Sequence, residues 1–323
     1  NVDPSKIVFS GVGKTTEEIE LAIKSNIKQI NAESFPEIDN IIRIANELKV
    51  RVPVAIRVNP DIKVKTHEKI ATGSNDTKFG LPIKEAVEIY KKISSEKYIT
   101  TMGLAIHIGS QIFDMNEFKL AYENVLSIAN SLREEGMDVP NLDLGGGLGV
   151  DYQNASINFK DYGKTIREVF NTYDYKLSIE PGRSLVANSG VLVTKIIYIK
   201  NSERKNFLIV DGAMNDFIRP TLYNAHHNIE PLIKSKNKEL EYDVVGPICE
   251  TGDYFIKDLK LNQPMEGQFL AIFSTGAYGS VMSSSYNSRP SAGELLVHNN
   301  KIHLLRKQDV IEYHIQKEIL PDL

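Results

Sequence analysis

A glycine-rich loop directly after a predicted strand is the feature of the sequence best suited to binding chemistry. Four of the five residues from Gly145 to Gly149 are glycine, and without side chains their backbone amides can approach an anion closely. Such a loop at the carboxyl end of a strand suits a phosphate group. The dinucleotide fingerprint G-x-G-x-x-G fails, because its last glycine would fall at Val150. A flexible surface loop is the alternative, and the motif alone leaves both open.

A second glycine motif lies near the start of the chain. Gly11-Val-Gly-Lys-Thr15 ends like the triphosphate loop G-x-x-x-x-G-K-T, but that loop would need a glycine in place of Val8, inside a predicted strand. We therefore reject nucleoside triphosphate binding. Lys14 is interpreted as a surface residue before a helix rather than as a catalytic amine.

Ionisable residues follow two of the predicted strands. His107 ends the fourth strand, where parallel folds place their ligands, although a lone strand histidine is often a satisfied core residue. Glu180 and Arg183 frame the turn after the sixth strand; they suit two parts of one ligand or, alternatively, a salt-bridged turn. The pair His226-His227 has no acidic or thiol ligand at a matching spacing. We interpret it as structural or as support for a neighbouring residue, and we predict no metal site.

The first part of the chain must position these residues. The predicted strands are Ile7–Ser10, Ile27–Ala32, Val52–Val58, Gly103–Ile108, Asn141–Leu144 and Lys176–Ile179. The predicted helices are Thr15–Ser25, opened by a capping box, Ile38–Lys49, Ile83–Lys92, Asn116–Glu135 and Asp161–Phe170. This alternation predicts a parallel sheet with crossover helices. An open doubly wound sheet and a (β/α)8 barrel both hold such units, and the pattern alone does not choose between them.

The pattern changes near Val186. Four further strands are predicted at Val191–Lys200, Phe207–Val210, Tyr242–Val245 and Gln268–Phe273, with a hairpin over Glu294–Leu305 that turns at Asn299-Asn300. A run of strands after a series of βα units indicates a second, mostly antiparallel β domain. We therefore predict domains at residues 1–186 and 187–323.

Composition excludes several classes of protein. The 323 residues carry a net charge of −4 and no long basic run, which argues against a nucleic-acid partner. No apolar run approaches the roughly 18 residues that a membrane span needs. Cys249 is the single cysteine, which favours a reducing, cytoplasmic location.

Taken together, the motifs resemble those of the diaminopimelate decarboxylase family. These pyridoxal-phosphate enzymes have an alanine-racemase-like barrel and a C-terminal β domain. The matching segments, in order, are Ile7-Val-Phe-Ser-Gly-Val-Gly-Lys14, Lys78-Phe-Gly80, His107-Ile-Gly-Ser-Gln111, Leu144-Gly-Gly-Gly147, Glu180-Pro-Gly-Arg-Ser184, Asp211-Gly212, Arg219-Pro-Thr-Leu-Tyr223, Gly246-Pro-Ile-Cys-Glu250, Gly276-Ala-Tyr278 and Tyr286-Asn-Ser-Arg-Pro290. The resemblance implies a (β/α)8 TIM-type barrel followed by an antiparallel β domain.

The resemblance also implies a binding site for pyridoxal 5'-phosphate. The implied cofactor-binding residues are His107, Ser110, Gly145, Gly146, Gly147, Glu180, Gly182, Arg183 and Tyr278. His107 would stack on the cofactor ring, and Glu180 would keep the pyridine nitrogen protonated. Cys249 would be the proton donor, which in this family comes from the partner subunit of a homodimer. The expected catalytic residues are therefore Cys249 and His107.

The implied reaction is decarboxylation of meso-2,6-diaminopimelate to L-lysine and carbon dioxide. The expected residues around this amino-acid substrate are Arg183, Arg219, Tyr223, Glu250 and Tyr278. The arginines suit the distal carboxylate, because a guanidinium pairs with it bidentately, and Glu250 suits the distal ammonium. Decarboxylases of ornithine, arginine or carboxynorspermidine are alternatives, and a racemase on the same barrel fits less well.

The sequence departs from the family pattern at one position. The family's Schiff-base lysine lies in a Tyr-Ala-x-Lys-Ala-Asn-like segment on the first barrel strand, and the 323 residues contain no such segment. We expect that two N-terminal βα units are missing from this sequence and that this chain alone has little activity. A non-catalytic homologue is the alternative that the missing lysine suggests.

Overall fold

The computed structural model describes residues 2–62, 72–73, 77–154 and 156–321. The chain forms two compact units. The first unit contains residues 1–149 and 157–182, and the second contains residues 150–156 and 183–323.

The first unit alternates strands and helices, as the sequence predicts. Its strands are β1 (Val8–Phe9), β2 (Gln29–Ala32), β3 (Val52–Asn59), β4 (Leu81–Pro82), β5 (Ile99–Ala105), β6 (Asn141–Asp143) and β7 (Lys176–Ser178). Its helices are α1 (Thr16–Lys24), α2 (Phe35–Leu48), α3 (Ile83–Ser94), α4 (Met115–Glu134) and α5 (Phe159–Phe170), with a 3-10 turn at Pro4–Lys6.

The strand order of the first unit distinguishes between the two architectures. The sheet runs β1-β2-β3-β5-β6-β7, with the short β4 beside β3, and all of these pairings are parallel. The order therefore follows the chain without reversal. A doubly wound sheet reverses its order at a switch point, whereas a (β/α)8 barrel does not. The barrel prediction is confirmed.

Helix α2 shows why these segments fold as they do. Ser34 caps its first turn by accepting a hydrogen bond from the amide of Glu37, and Lys49 ends it in the left-handed conformation at φ 54°. Ile38, Ile41 and Ala45 are spaced along one face and are fully buried. The resulting apolar stripe fixes the helix against the sheet, and with it the strand ends that carry the polar residues.

The second unit is built from strands and short helices. Its strands are β8 (Val191–Asn201), β9 (Asn206–Val210), β10 (Ile229–Pro231), β11 (Glu239–Val245), β12 (Tyr254–Asn262), β13 (Phe269–Phe273), β14 (Glu294–His298) and β15 (Lys301–Arg306). Its helices are α6 (Arg183–Val186), α7 (Arg219–Tyr223) and α8 (Ile311–Ile315), with 3-10 turns at Ala187–Ser189, Ser280–Met282 and Tyr286–Ser288.

The six-stranded sheet of this unit has the order β10-β13-β8-β9-β11-β12. Its pairings are antiparallel except that β9 and β11 are parallel. Strands β14 and β15 form the predicted hairpin, and Asn299 and Asn300 at its turn both have positive φ, as a two-residue hairpin turn requires. The prediction of a mostly antiparallel second domain therefore agrees with this sheet.

Some boundaries differ from the sequence-based expectations. The units divide between Gly182 and Arg183, whereas the sequence places the domain change four residues later. Residues 150–156 also group with the second unit. Tyr152, buried in this segment, packs on side chains that lie far beyond it in the sequence, which no local pattern reveals.

The structure also adds elements that the sequence did not predict. Strands β10 and β12 are among them, and in β12 the residue Asp258 has φ 57°, which interrupts the alternation of a regular strand. No helix in the described part of the chain has both the length and the apolar character needed to cross a bilayer.

Candidate active site

The glycine loop follows β6 and is enclosed by neighbouring backbone. A Cβ atom added at Gly145 would collide with the carbonyl oxygen of Ile106, and one at Gly146 with the carbonyl oxygen of Glu180. At Gly147 the added atom would collide with the carbonyl oxygen of Gly109. Gly145 and Gly147 also have positive φ, 67° and 104°, where glycine is strongly preferred. The three positions therefore require glycine, and the flexible-loop interpretation is wrong for them.

His107 lies beside this loop, two residues after β5 ends rather than inside the strand as predicted. The backbone amide of Gly146 donates a hydrogen bond to its Nδ1 over 3.2 Å. Burial, with a smaller effect of the charge on Arg57, lowers the pKa of His107 to about 4. The imidazole is therefore neutral at physiological pH, with its proton on Nε2. Ser110, three residues on, is half-buried.

Glu180 follows β7 and joins the same loop. Its amide donates to the carbonyl of Gly145 over 2.8 Å, and its carboxylate accepts from the hydroxyl of Ser10 over 3.2 Å. Burial and the nearby Asp143 carboxyl group raise the pKa of Glu180 to about 7. A cation placed next to Glu180 would lower this raised pKa, because a positive partner favours the charged form of a carboxyl group. Gly182, after Glu180, is exposed and has open space at its Cβ position.

Asp143 and Asn31 connect the glycine loop to Ser10 through hydrogen bonds. Asp143 is buried and accepts hydrogen bonds from the Gly145 amide at 3.1 Å and from the Asn31 side chain at 3.3 Å. The Asn31 amide also donates to Ser10 over 3.0 Å. Sequence reasoning missed both. The signal for Asp143 was a charged residue inside a predicted strand, two residues before the first glycine of the loop.

Lys14 is buried, and its prediction as a surface residue is wrong. Its ammonium group lies 2.7 Å from Glu37 and also donates to the carbonyls of Gly11 at 2.6 Å and Asn31 at 2.7 Å. The partner Glu37 lies in α2, far along the chain, so the local sequence gave no sign of the pair. These contacts of Lys14 fix the loop after β1.

Two arginines of the second unit converge on Tyr152. The Nη1 atom of Arg183 donates to the Tyr152 hydroxyl over 2.7 Å, and the Arg219 guanidinium carbon lies 5.2 Å from the centre of the Tyr152 ring. Both arginines are buried, at 7% and 4% exposure. Tyr278 lies 4.7 Å from the Arg183 guanidinium and Tyr223 lies 5.9 Å from that of Arg219.

This arginine pair has the electrostatics of an anion site. Burial lowers the pKa of Arg219, and repulsion from the Arg183 charge lowers it further. An approaching anion such as a carboxylate offsets both effects, because a negative partner favours the charged form of Arg219. Sequence reasoning named both arginines but missed Tyr152, for which the sequence offers no local signal.

Cys249 and Glu250 form another part of the second unit. The Cys249 thiol is free and exposed, and the carboxylate of Glu250 accepts a hydrogen bond from the Tyr286 hydroxyl over 2.8 Å. Thr221, in the same helix as Arg219, donates to the carbonyl of Gly252. The structure thus links the segment that carries Cys249 to helix α7 within one unit.

His226 and His227 point to different environments, as expected of adjacent residues. His226 is exposed, whereas His227 is fully buried. Within the described ranges, no three His, Cys, Asp or Glu side chains are grouped so that they could hold a metal ion.

Comparisons with known proteins agree on one family. Residues 1–187 match the family model described as pyridoxal-dependent decarboxylase, pyridoxal binding domain. The diaminopimelate decarboxylase of Aquifex aeolicus is 41% identical over 320 residues, which cover 98% of this chain and 76% of that protein.

Solved structures give the same result. The Helicobacter pylori diaminopimelate decarboxylase in complex with L-lysine superposes with a TM-score of 0.93 at 42% identity, covering 98% of this chain and 80% of that one. The M. jannaschii enzyme, also in complex with L-lysine, has a TM-score of 0.91 at 35% identity, covering 98% and 75%.

Proposed function

This chain belongs to the diaminopimelate decarboxylases, within the pyridoxal-dependent decarboxylases, and we propose that it converts meso-2,6-diaminopimelate to L-lysine and carbon dioxide. One observation carries the choice of substrate. Arg183 and Arg219 are both buried and both contact Tyr152. Two buried guanidinium groups suit a substrate with a carboxylate at its distal end. A substrate with a bare distal amine, such as ornithine, would face repulsion there.

The first unit fits pyridoxal 5'-phosphate. The glycine loop has backbone where side chains would otherwise fill the space, so its amides and the Ser110 hydroxyl suit the phosphate group. Glu180, with its pKa raised to about 7, suits the pyridine nitrogen. The neutral ring of His107 adds a flat surface for the cofactor ring without adding charge.

When bound, pyridoxal phosphate supplies an electron sink for the electron pair that remains on the substrate carbon as carbon dioxide leaves. Glu180 holds a proton on the pyridine nitrogen by pairing with it as a carboxylate. The hydrogen bond from Ser10 to Glu180 favours that charged form.

The second unit supplies the groups for the substrate. Arg183 and Arg219 bind the distal carboxylate, with the Tyr223 and Tyr278 rings beside the two guanidinium groups. Glu250 binds the distal ammonium, since its carboxylate is already oriented by the Tyr286 hydroxyl.

Cys249 donates the proton that replaces carbon dioxide. Its thiol is exposed in this chain, which suits a group offered to the active site of a second subunit. The protein then acts as a homodimer with shared active sites. A thiol with this role needs a reducing compartment, which supports a cytoplasmic location.

The experiment that tests the function uses the complete gene product, loaded with pyridoxal phosphate. Carbon dioxide release is measured from meso-diaminopimelate, ornithine, arginine and carboxynorspermidine at equal concentrations. We expect kcat/KM to be highest for diaminopimelate. Faster turnover of any of the other three would refute the proposed substrate, and no release from any of them would favour a non-catalytic homologue.

A further inference from the structure

His227 is a residue of the second unit that contacts Arg219 directly. The side chain is fully buried and is packed between two rings. The Tyr152 ring centre lies 4.5 Å away at a 40° tilt, and that of Phe217 lies 4.7 Å away in an edge-on arrangement. Packing of this kind leaves the imidazole a single orientation.

Two hydrogen bonds determine the protonation state of His227. Its Nδ1 lies 2.9 Å from the carbonyl oxygen of Phe273, and because a carbonyl only accepts, Nδ1 carries the hydrogen. Its Nε2 then has a lone pair and accepts from the Nε–H of Arg219 over 3.3 Å. Burial, together with the nearby Arg219 charge, lowers the pKa of His227 to about 4. The residue is thus a neutral acceptor.

The position of Arg219 needs such an acceptor. Burial is the main cause of the lowered pKa of Arg219, and the Arg183 charge adds to it. Repulsion alone would move two flexible cationic side chains apart. A carboxylate partner would hold Arg219 but would also neutralise it and weaken its attraction for a ligand. A neutral imidazole holds the guanidinium group and leaves its full charge available.

We infer that His227 is a positioning residue that fixes Arg219 for end-on pairing with the distal carboxylate of the substrate. This inference rests on the proposed function. A guanidinium group can pair with a carboxylate through Nε and one Nη, or through both Nη atoms. The Nε–H of Arg219 donates to His227, so the two Nη groups of Arg219 bind the carboxylate of the ligand.

Tyr152 also supports Arg183, the second arginine of the pair. Tyr152 accepts from Nη1 of Arg183 while its ring packs on His227 and faces Arg219. His227 and Tyr152 therefore set the spacing between the two guanidinium groups, which determines whether one carboxylate can reach both.

Two inhibitors separate this role from a general structural one. L-Lysine keeps the distal carboxylate of the substrate, whereas 1,5-diaminopentane lacks it. In the cofactor-loaded complete protein, His227→Phe keeps an aromatic ring but removes the acceptor. We expect the KM for diaminopimelate and the Ki for L-lysine to rise about 10- to 100-fold. The Ki for 1,5-diaminopentane and kcat should change less than about threefold, because neither depends on the Arg219 carboxylate pairing.

Two further variants test whether the effect of His227→Phe comes from the lost acceptor or from poor folding. His227→Gln restores an acceptor for Arg219 and should recover most of the affinity for L-lysine, even if His227→Phe folds poorly. In an Arg219→Lys background, which lacks the Nε–H, His227→Gln and wild-type His227 should give the same Ki for L-lysine. Equal losses for both inhibitors, or an unchanged Ki for L-lysine in His227→Phe, would overturn the inference. Absence of diaminopimelate turnover and of L-lysine binding in the wild type would instead refute the proposed function.

Discussion

The backbone amide of Gly146 donates its hydrogen bond to Nδ1 of His107 over 3.2 Å. This contact joins the glycine loop after β6 to the segment after β5, two strands that are neighbours in the parallel sheet. It also makes Nδ1 an acceptor, which places the imidazole proton on Nε2. The loop and the ring therefore depend on each other, and a change in one is expected to disturb the other.

Gly146→Ala should damage this arrangement, whereas Gly163→Ala in α5 should not. The new Cβ at Gly146 would collide with the Glu180 carbonyl, while one at Gly163 would meet only the end of the Arg167 side chain at an ordinary contact distance. We expect Gly146→Ala to lower the free energy of unfolding by about 1–3 kcal/mol, the usual cost of overpacking, and to weaken pyridoxal phosphate binding. Urea unfolding and a cofactor titration followed by absorbance measure the two effects. Equal behaviour of the two variants would contradict the assigned role of the loop.

The pKa of Glu180 should respond to its two neighbours in opposite directions. Asp143 raises the pKa and the Ser10 hydroxyl lowers it. Asp143→Asn should therefore lower the pKa from about 7, and Ser10→Ala should raise it. Carboxyl ¹³C NMR titration of the cofactor-free protein measures both. A pKa of Glu180 that stays the same in Asp143→Asn would show that the two carboxyl groups are not coupled.

The same coupling predicts a pH dependence of stability. Between pH 4.5, the ordinary value for a glutamate, and pH 7, native Glu180 keeps a proton that the unfolded chain has lost. The native state binds more protons in this window, so Glu180 makes the protein less stable as the pH rises through it. Its contribution is most favourable below pH 4.5. The slope of unfolding free energy against pH over this window should become less negative in Asp143→Asn.

Cys249→Ser should reduce turnover without weakening substrate binding. The thiol is exposed, so serine in its place should leave the fold intact. A positioned acid contributes about 10²–10⁴-fold to the rate of a proton-transfer step, and we expect kcat to fall within that range while KM changes little. Steady-state kinetics of the complete, cofactor-loaded protein test this, with Ser283→Ala as a control for a surface change. An unchanged kcat would show that another group supplies the proton.

Local patterns predicted the elements whose determinants lie close together in the sequence. The Thr15 capping box is present, with Glu18 completing it, and the Asn299-Asn300 turn forms as predicted. Such features depend on a few neighbouring residues. The strand order followed from the family resemblance rather than from the pattern, since both parallel architectures share the same alternation of strands and helices.

Features that depend on distant partners were not predictable in this way. The burial of His227 depends on Tyr152 and Phe217, and Tyr152 groups with a unit whose main part begins 31 residues later, at Arg183. Strand β12 was missed because Asp258 adopts a positive φ within it, which breaks the two-residue period. In each case the information lies in tertiary contacts, which a single sequence does not display.

Lys14→Met should destabilise the first unit far more than Lys24→Met does. Lys14 and Glu37 are buried together, with side chains at 1% and 8% exposure, whereas the Lys24–Glu20 pair is at 58% and 37%. Removing one member of a buried pair leaves an uncompensated charge and costs about 3–5 kcal/mol, whereas an exposed pair contributes about 0–1 kcal/mol. Chemical denaturation followed by circular dichroism measures both variants. The double variant Lys14→Met/Glu37→Gln should recover part of the loss, because no isolated charge then remains buried. If the double variant were no more stable than Lys14→Met, the loss would come from the hydrogen bonds of Lys14 to the Gly11 and Asn31 carbonyls, which both variants lack, rather than from an isolated buried charge.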